Sequence, residues 1–132
     1  MGLCRVLFVI FTLVMAPGIA LAASIDCPPD HANLEKLVAD APSCDASMKL
    51  LLACQLGSSG DVSPAMIVIK KCEDKFLASL SKRSRRTYDR KVAGCGREFA
   101  NESGTLFQSI RAICAAELAQ TYAHRADRNR KR

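Results

Sequence analysis

Beyond residue 30 the apolar residues recur every three or four positions, and proline, glycine and serine interrupt them at intervals. That spacing predicts a series of helices. Leu34, Leu37 and Val38 mark a short first helix, and Met48, Leu51, Leu52 and Leu56 a second, with Asp45 near its start. Pro42 and the run GSSGDVSP at 57–64 are the breaks around it. Ser63 followed by Pro64 reads as an N-cap and first helical residue. Met66, Ile69, Cys72, Phe76 and Leu80 then form one stripe. The β-branched run at 67–69 has the composition of a strand, but the stripe's continuation to Leu80 favours helix. A fourth helix carries Tyr88, Val92, Cys95 and Phe99. Gly94 and Gly96 each cost a helix about 1 kcal/mol relative to alanine; they either let another helix approach or end this one. A fifth helix starts at Thr105, with Gln108 completing a capping box, and its stripe is Phe107, Ile110, Cys114, Leu118 and Tyr122.

The last two stripes predict how their helices meet. In an antiparallel hairpin, residues at the same height have a constant index sum. Cys95 with Cys114 and Phe99 with Ile110 both sum to 209, which centres the turn between Gly104 and Thr105. At 1.5 Å per residue each cysteine lies about 14 Å from that turn, so a Cys95–Cys114 disulfide is expected. By the chain-entropy account it stabilises the fold by about 3 kcal/mol.

The first two dozen residues follow a different pattern. Arg5, the apolar run VLFVIFTLVMA, Pro17, Gly18 and ALA at 20–22 read as a secretory signal peptide at 1–22, cleaved after Ala22. The rival reading is an uncleaved anchor over 6–23, against which Pro17 and its small neighbours weigh. No second apolar run follows, so no span is expected after cleavage, and the location expected is secreted or periplasmic. About 110 residues remain, enough for one domain, at 23–124, that buries roughly two-thirds of its unfolded surface. The chain has no Trp, so its core is mainly aliphatic.

Removing Cys4 with the leader leaves Cys27, Cys44, Cys54, Cys72, Cys95 and Cys114. An even number in a small exported chain implies disulfides. The absence of any C-x-x-C pair argues against structural zinc. For the four cysteines outside the hairpin, sequential pairing, Cys27–Cys44 and Cys54–Cys72, is the expectation. The architecture expected is therefore all-α: a small disulfide-stapled domain of about five helices with an antiparallel C-terminal hairpin.

Charge is divided unevenly. Residues 23–69 carry two basic and six acidic side chains, a net −4, and residues 70–132 carry sixteen and seven, a net +9. The densest basic segment, SKRSRRTYDRK at 81–91, offers Lys82, Arg83, Arg85, Arg86, Arg90 and Lys91 as anion-binding candidates. Cations at a helix N-terminus oppose the macrodipole, a cost that argues for use; the competing reading is a solvated helix start. A secreted protein meets little nucleic acid, so an anionic lipid or acidic polymer is the expected target. The segment 125–132 reads as a disordered basic tail.

Catalytic chemistry is not expected. The only histidines are His31 and His124, each read as an exposed side chain, and neither belongs to a nucleophile–base constellation. Glu73 and Asp74 are adjacent, so on a helix they diverge; with Lys70, Lys71 and Lys75 they read as a solvated face. No cofactor and no metal site is expected. The GSSGD loop reads as a flexible connector or, alternatively, a recognition loop. Asn101-Glu102-Ser103 is a glycosylation sequon, of consequence in a eukaryotic secretory pathway.

From Lys71 onward the chain resembles the lysozyme inhibitor LprI-like family of exported bacterial helical domains. Cys95, Gly104, Thr105, Cys114 and Leu118 match its pattern of a cysteine, a Gly-Thr turn and a helix with a second cysteine. The family's Trp before the first of those cysteines has no counterpart here. The resemblance implies an all-helical binding protein, not an enzyme, whose partner is a lysozyme or another envelope protein. Lysozymes are commonly basic, as is the half that carries the resemblance, so a lysozyme-facing surface would use the acidic half, at Asp40, Asp45 and Asp61.

Overall fold

The computed structural model describes residues 25–132, so the expected signal peptide lies outside the described residues. Five helices follow in order: α1 (His31–Asp40), α2 (Cys44–Cys54), α3 (Val62–Glu73), α4 (Lys82–Gly94) and α5 (Thr105–Arg130). Short 3-10 turns at Ser59–Asp61 and Leu77–Ser79 precede α3 and α4, and among the described residues there is no strand.

Local chemistry starts these helices. The side chains of Asp30, Ser43 and Ser81 accept from the backbone N–H of Asn33, Ala46 and Ser84, each satisfying a donor that the first helical turn leaves free. Two expected caps differ. The Asp61 backbone opens α3 at Val62, so Ser63 and Pro64 fall in its first turn. Gly104 stands before α5 at φ +124°, a backbone that side chains disfavour, and Thr105 is already helical without a capping box.

The core lies where α1 and α2 pack on α3 and α3 packs along α5. Leu34, Val38, Met48, Leu51, Ala65, Val68 and Ile69 fill it from one side. On α5 the buried residues are mostly small: Ala115, Ala116, Ala119 and Ala123, with Ser109 and Ile113. Small residues let α3 and α5 approach closely, and Ala65 of α3 continues the fit. Ala65, Val68 and Cys72 therefore form the buried face of α3, while Met66, placed in the stripe by the sequence, is exposed. The expected stripe also ran too far. α3 ends at Glu73, and the chain turns before Phe76 returns to the core. Each fully buried aliphatic or Phe side chain contributes about 1.5–3 kcal/mol.

All six cysteines of the described residues form disulfides: Cys27–Cys54, Cys44–Cys72 and Cys95–Cys114. The hairpin pair is as expected, but sequential pairing of the other four is overturned. Cys44 and Cys54 stand at opposite ends of α2, about 15 Å apart. The loop from Cys54 leads into the start of α3, whereas Cys72 lies near its end, a similar distance away. Cys72 is thus level with Cys44, and Cys54 is left to the N-terminal lead.

α4 crosses back along α5. Cys95 meets Cys114, Tyr88 meets Tyr122, and Arg83 and Ser84 share a cavity wall with Ala126 and Asn129. Contacts move up one helix as they move down the other, an order compatible with the expected antiparallel pair. α4 is shorter than the pattern suggested: it ends at Gly94, and turns occupy 95–101, so the glycines act as a stop. α5 is longer. The expected disordered tail is helical through Arg130, where Ala126 packs against the core and the Asp127 carboxylate accepts from the Arg130 guanidinium.

Candidate functional site

Every cation of the 82–91 segment is exposed, on a helix that buries only Tyr88. They do not form one patch. Arg83, Arg86 and Arg90 line a shallow depression with Asp89, whose carboxylate accepts from Arg85 at 3.2 Å. Lys91 turns towards α5 and lies 5.7 Å from the Tyr122 ring centre. Lys82 stands at the first helical position.

Three aromatic rings fix α4 to the rest. Tyr88 lies edge-on to Phe76 at 5.2 Å and to Tyr122 at 5.0 Å, and Phe76 and Tyr122 are 5.5 Å apart. Such contacts add about 0.5–1.5 kcal/mol each beyond burial. The Tyr88 hydroxyl donates to Glu73 at 2.8 Å, so Glu73 is an anchor and not part of a solvated face. Burial and the Glu73 carboxylate push the Tyr88 phenol up, so it stays protonated. Lys71 is also engaged: its ammonium donates to the carbonyls of Ala39 and Ala41 at the end of α1.

Beside this cluster is a cavity of about 610 Å³. Phe76, Leu80 and Tyr122 give it an apolar floor, and Lys75, Arg83, Arg125 and Arg130 line it. The Arg125 guanidinium sits 5.3 Å from the Tyr122 ring centre. Four cations from three parts of the chain thus converge. Sequence reasoning found only Arg83 among them. Lys75 was assigned to a solvated face, and Arg125 and Arg130 to a disordered tail. The signal for the latter two was the AELAQTYAHRADR run, which keeps apolar residues at helical spacing through Ala126.

The acidic candidates separate. Asp61 is fully buried. It accepts from the backbone N–H of Leu56 at 2.9 Å and of Ser58 at 3.1 Å, and from the Ser109 hydroxyl at 2.6 Å. Burial pushes its carboxyl up, but these donors outweigh it and hold the group below the ordinary carboxylate range. Asp61 is therefore a structural knot between the Gly-Ser loop and α5, and its assignment as a partner-binding residue is corrected. Within the loop the Ser58 hydroxyl accepts from the Gly60 N–H, and the His31 ring lies so close over Gly60 that a Cβ there would overlap it. Asp45 is exposed but accepts from Gln120 at 2.7 Å and contacts His124 at 2.5 Å; the Gln120 amide foremost holds it below its usual range. Asp40 is exposed and paired with Lys36 at 2.5 Å. The three do not form an acidic face.

No family model, curated protein or solved structure matches the chain. Among the described residues no helix is long and apolar enough to cross a membrane.

Proposed function

We propose that the chain is an exported, non-enzymatic binding protein that holds an anionic lipid or polymer on the face shared by α4 and the end of α5. The convergence of Lys75, Arg83, Arg125 and Arg130 on one cavity carries this reading. Arg130 is paired with Asp127, and the other cations on this wall offer charge that an anion can neutralise. Apolar rings beneath them suit a ligand with both charge and hydrocarbon or sugar surface. Export rests on the leader pattern and agrees with the three disulfides of the fold. Lysozyme binding, which the resemblance implies, has weaker support, because the acidic half offers no continuous acidic face.

The oxidised protein should co-sediment with vesicles containing phosphatidylglycerol and not with phosphatidylcholine alone, and added salt should release it. With about 1 kcal/mol per cation, the Arg83→Gln/Arg125→Gln/Arg130→Gln variant should bind more than tenfold more weakly. Undiminished binding by that variant, combined with inhibition of lysozyme turnover, would replace this reading by the lysozyme one.

A further inference from the structure

A second groove lies between the end of α4, the turns at 95–101 and α5. It is open to solvent and has a volume of about 870 Å³. Phe99, Ile110, Leu118 and the Cys95–Cys114 disulfide make its floor, and all are half-buried, with nothing among the described residues covering them. Phe107 packs on Phe99 at 5.5 Å between ring centres and sets that wall. The rim is basic: Arg90, Lys91 and Arg97 stand against one carboxylate, Glu98. Arg97 is also held in place. One of its guanidinium nitrogens donates to the Arg90 carbonyl at 3.1 Å, which leaves further N–H groups for an anion.

We propose that this groove binds a single-chain anionic amphiphile of the fatty-acid type. Its carboxylate meets Arg97 and Lys91, and its hydrocarbon lies along Phe99, Ile110 and Leu118. The pairing follows from complementarity. A chain removes the apolar floor from water, and a carboxylate forms charge-assisted hydrogen bonds with a guanidinium. A polymer without hydrocarbon leaves the floor wet, and a neutral amphiphile leaves the cations unneutralised. This site goes beyond the face proposed above. The two cavities share only the Thr87 wall, so each can be tested without the other.

Calorimetric titration of the oxidised protein with dodecanoate, dodecanol and acetate tests the proposal. Dodecanoate should bind at one site, dodecanol at least tenfold more weakly, and acetate not measurably. Arg97→Gln should weaken dodecanoate about tenfold and leave dodecanol unchanged. Leu118→Ser should weaken both; should it fail to fold, the exposed Arg97 still separates the outcomes. Arg83→Gln/Arg130→Gln, in the other cavity, should leave dodecanoate binding intact even where it abolishes vesicle binding. Equal affinity for dodecanoate and dodecanol overturns the proposal. So does the absence of dodecanoate binding, or binding that survives Arg97→Gln but is lost in Arg83→Gln/Arg130→Gln.

Discussion

α3 and α4 are nearly the same length, twelve and thirteen residues, yet they meet α5 in opposite ways. α3 buries Pro64, Ala65, Val68, Ile69 and Cys72 against neighbours on more than one side. α4 buries Tyr88 alone and leans on α5 through a ring cluster and a disulfide. The α3 side is built from close-fitting apolar surface, and its stability comes from burial. The α4 side exchanges that burial for exposed cations and two open grooves. Close apolar packing and an open, cation-rich surface thus lie in different halves of one small domain, with α5 common to both.

The sharpest way to break this contrast is to remove one staple from each half. Cys44 and Cys72 are buried in the core. Cys44→Ala/Cys72→Ala should lower stability by about 4–5 kcal/mol, since a lost cross-link and a cavity combine. Cys95→Ser/Cys114→Ser, in the half-buried pair, should cost about 3 kcal/mol by loop entropy alone. Urea denaturation followed by far-UV circular dichroism gives both values, and the reverse order would undo the contrast.

A smaller effect is expected at Asp61, which ties the loop before α3 to Ser109 of α5. Asp61→Ala should destabilise by about 2–3 kcal/mol, because it leaves buried donors unpaired. Its carboxyl is depressed in the folded state, so its contribution is complete above the unfolded carboxylate value of about 4 and is lost as pH falls through the lower folded value. Stability measured from pH 5 downwards should therefore fall less steeply in the variant than in the parent. Equal slopes would show that Asp61 is not the group responsible.

The smallest effect sharpens the comparison. Ser43→Ala and Ser81→Ala each remove an N-cap worth about 1 kcal/mol. On α2 the loss should appear in global unfolding. On α4 it should appear mainly as faster amide exchange confined to 82–94, as expected of a helix that opens without the rest.

Which features the sequence disclosed follows from how far each depends on the tertiary arrangement. The Cys95–Cys114 pair was legible because both cysteines lie on one local hairpin and a symmetry centre suffices to match them. Cys27–Cys54 and Cys44–Cys72 were not, because they depend on which end of α2 faces which end of α3. The stop at Gly94 and the continuation past Arg125 share one reason. Both were settled by tertiary context: it chose between the two readings that the low helix propensity of Gly94 and Gly96 left open, and packing at Tyr122 and Ala126 carries α5 on to Arg130. Asp61 looked like surface because carboxylates usually are; the burial shows only once Ser109 arrives from forty-eight residues away. Of the basic cavity only one cation was visible: Arg83 lay in the dense run, while Lys75, Arg125 and Arg130 reach it through the fold.

The bridging pattern has one more consequence. The bonds from Cys27 to Cys54 and from Cys44 to Cys72 overlap, so cutting the backbone once anywhere between residues 28 and 71 leaves the pieces covalently joined. The third bond protects 96–113 in the same way. Between Cys27 and Cys114, only the stretch from 73 to 94 is spanned by no sulfur bridge, and it contains the exposed lysines and arginines of α4. A protease that cuts after basic residues would there divide the molecule into two covalently separate parts, so the helix richest in positive charge is also where a single cleavage does most to dismantle the protein.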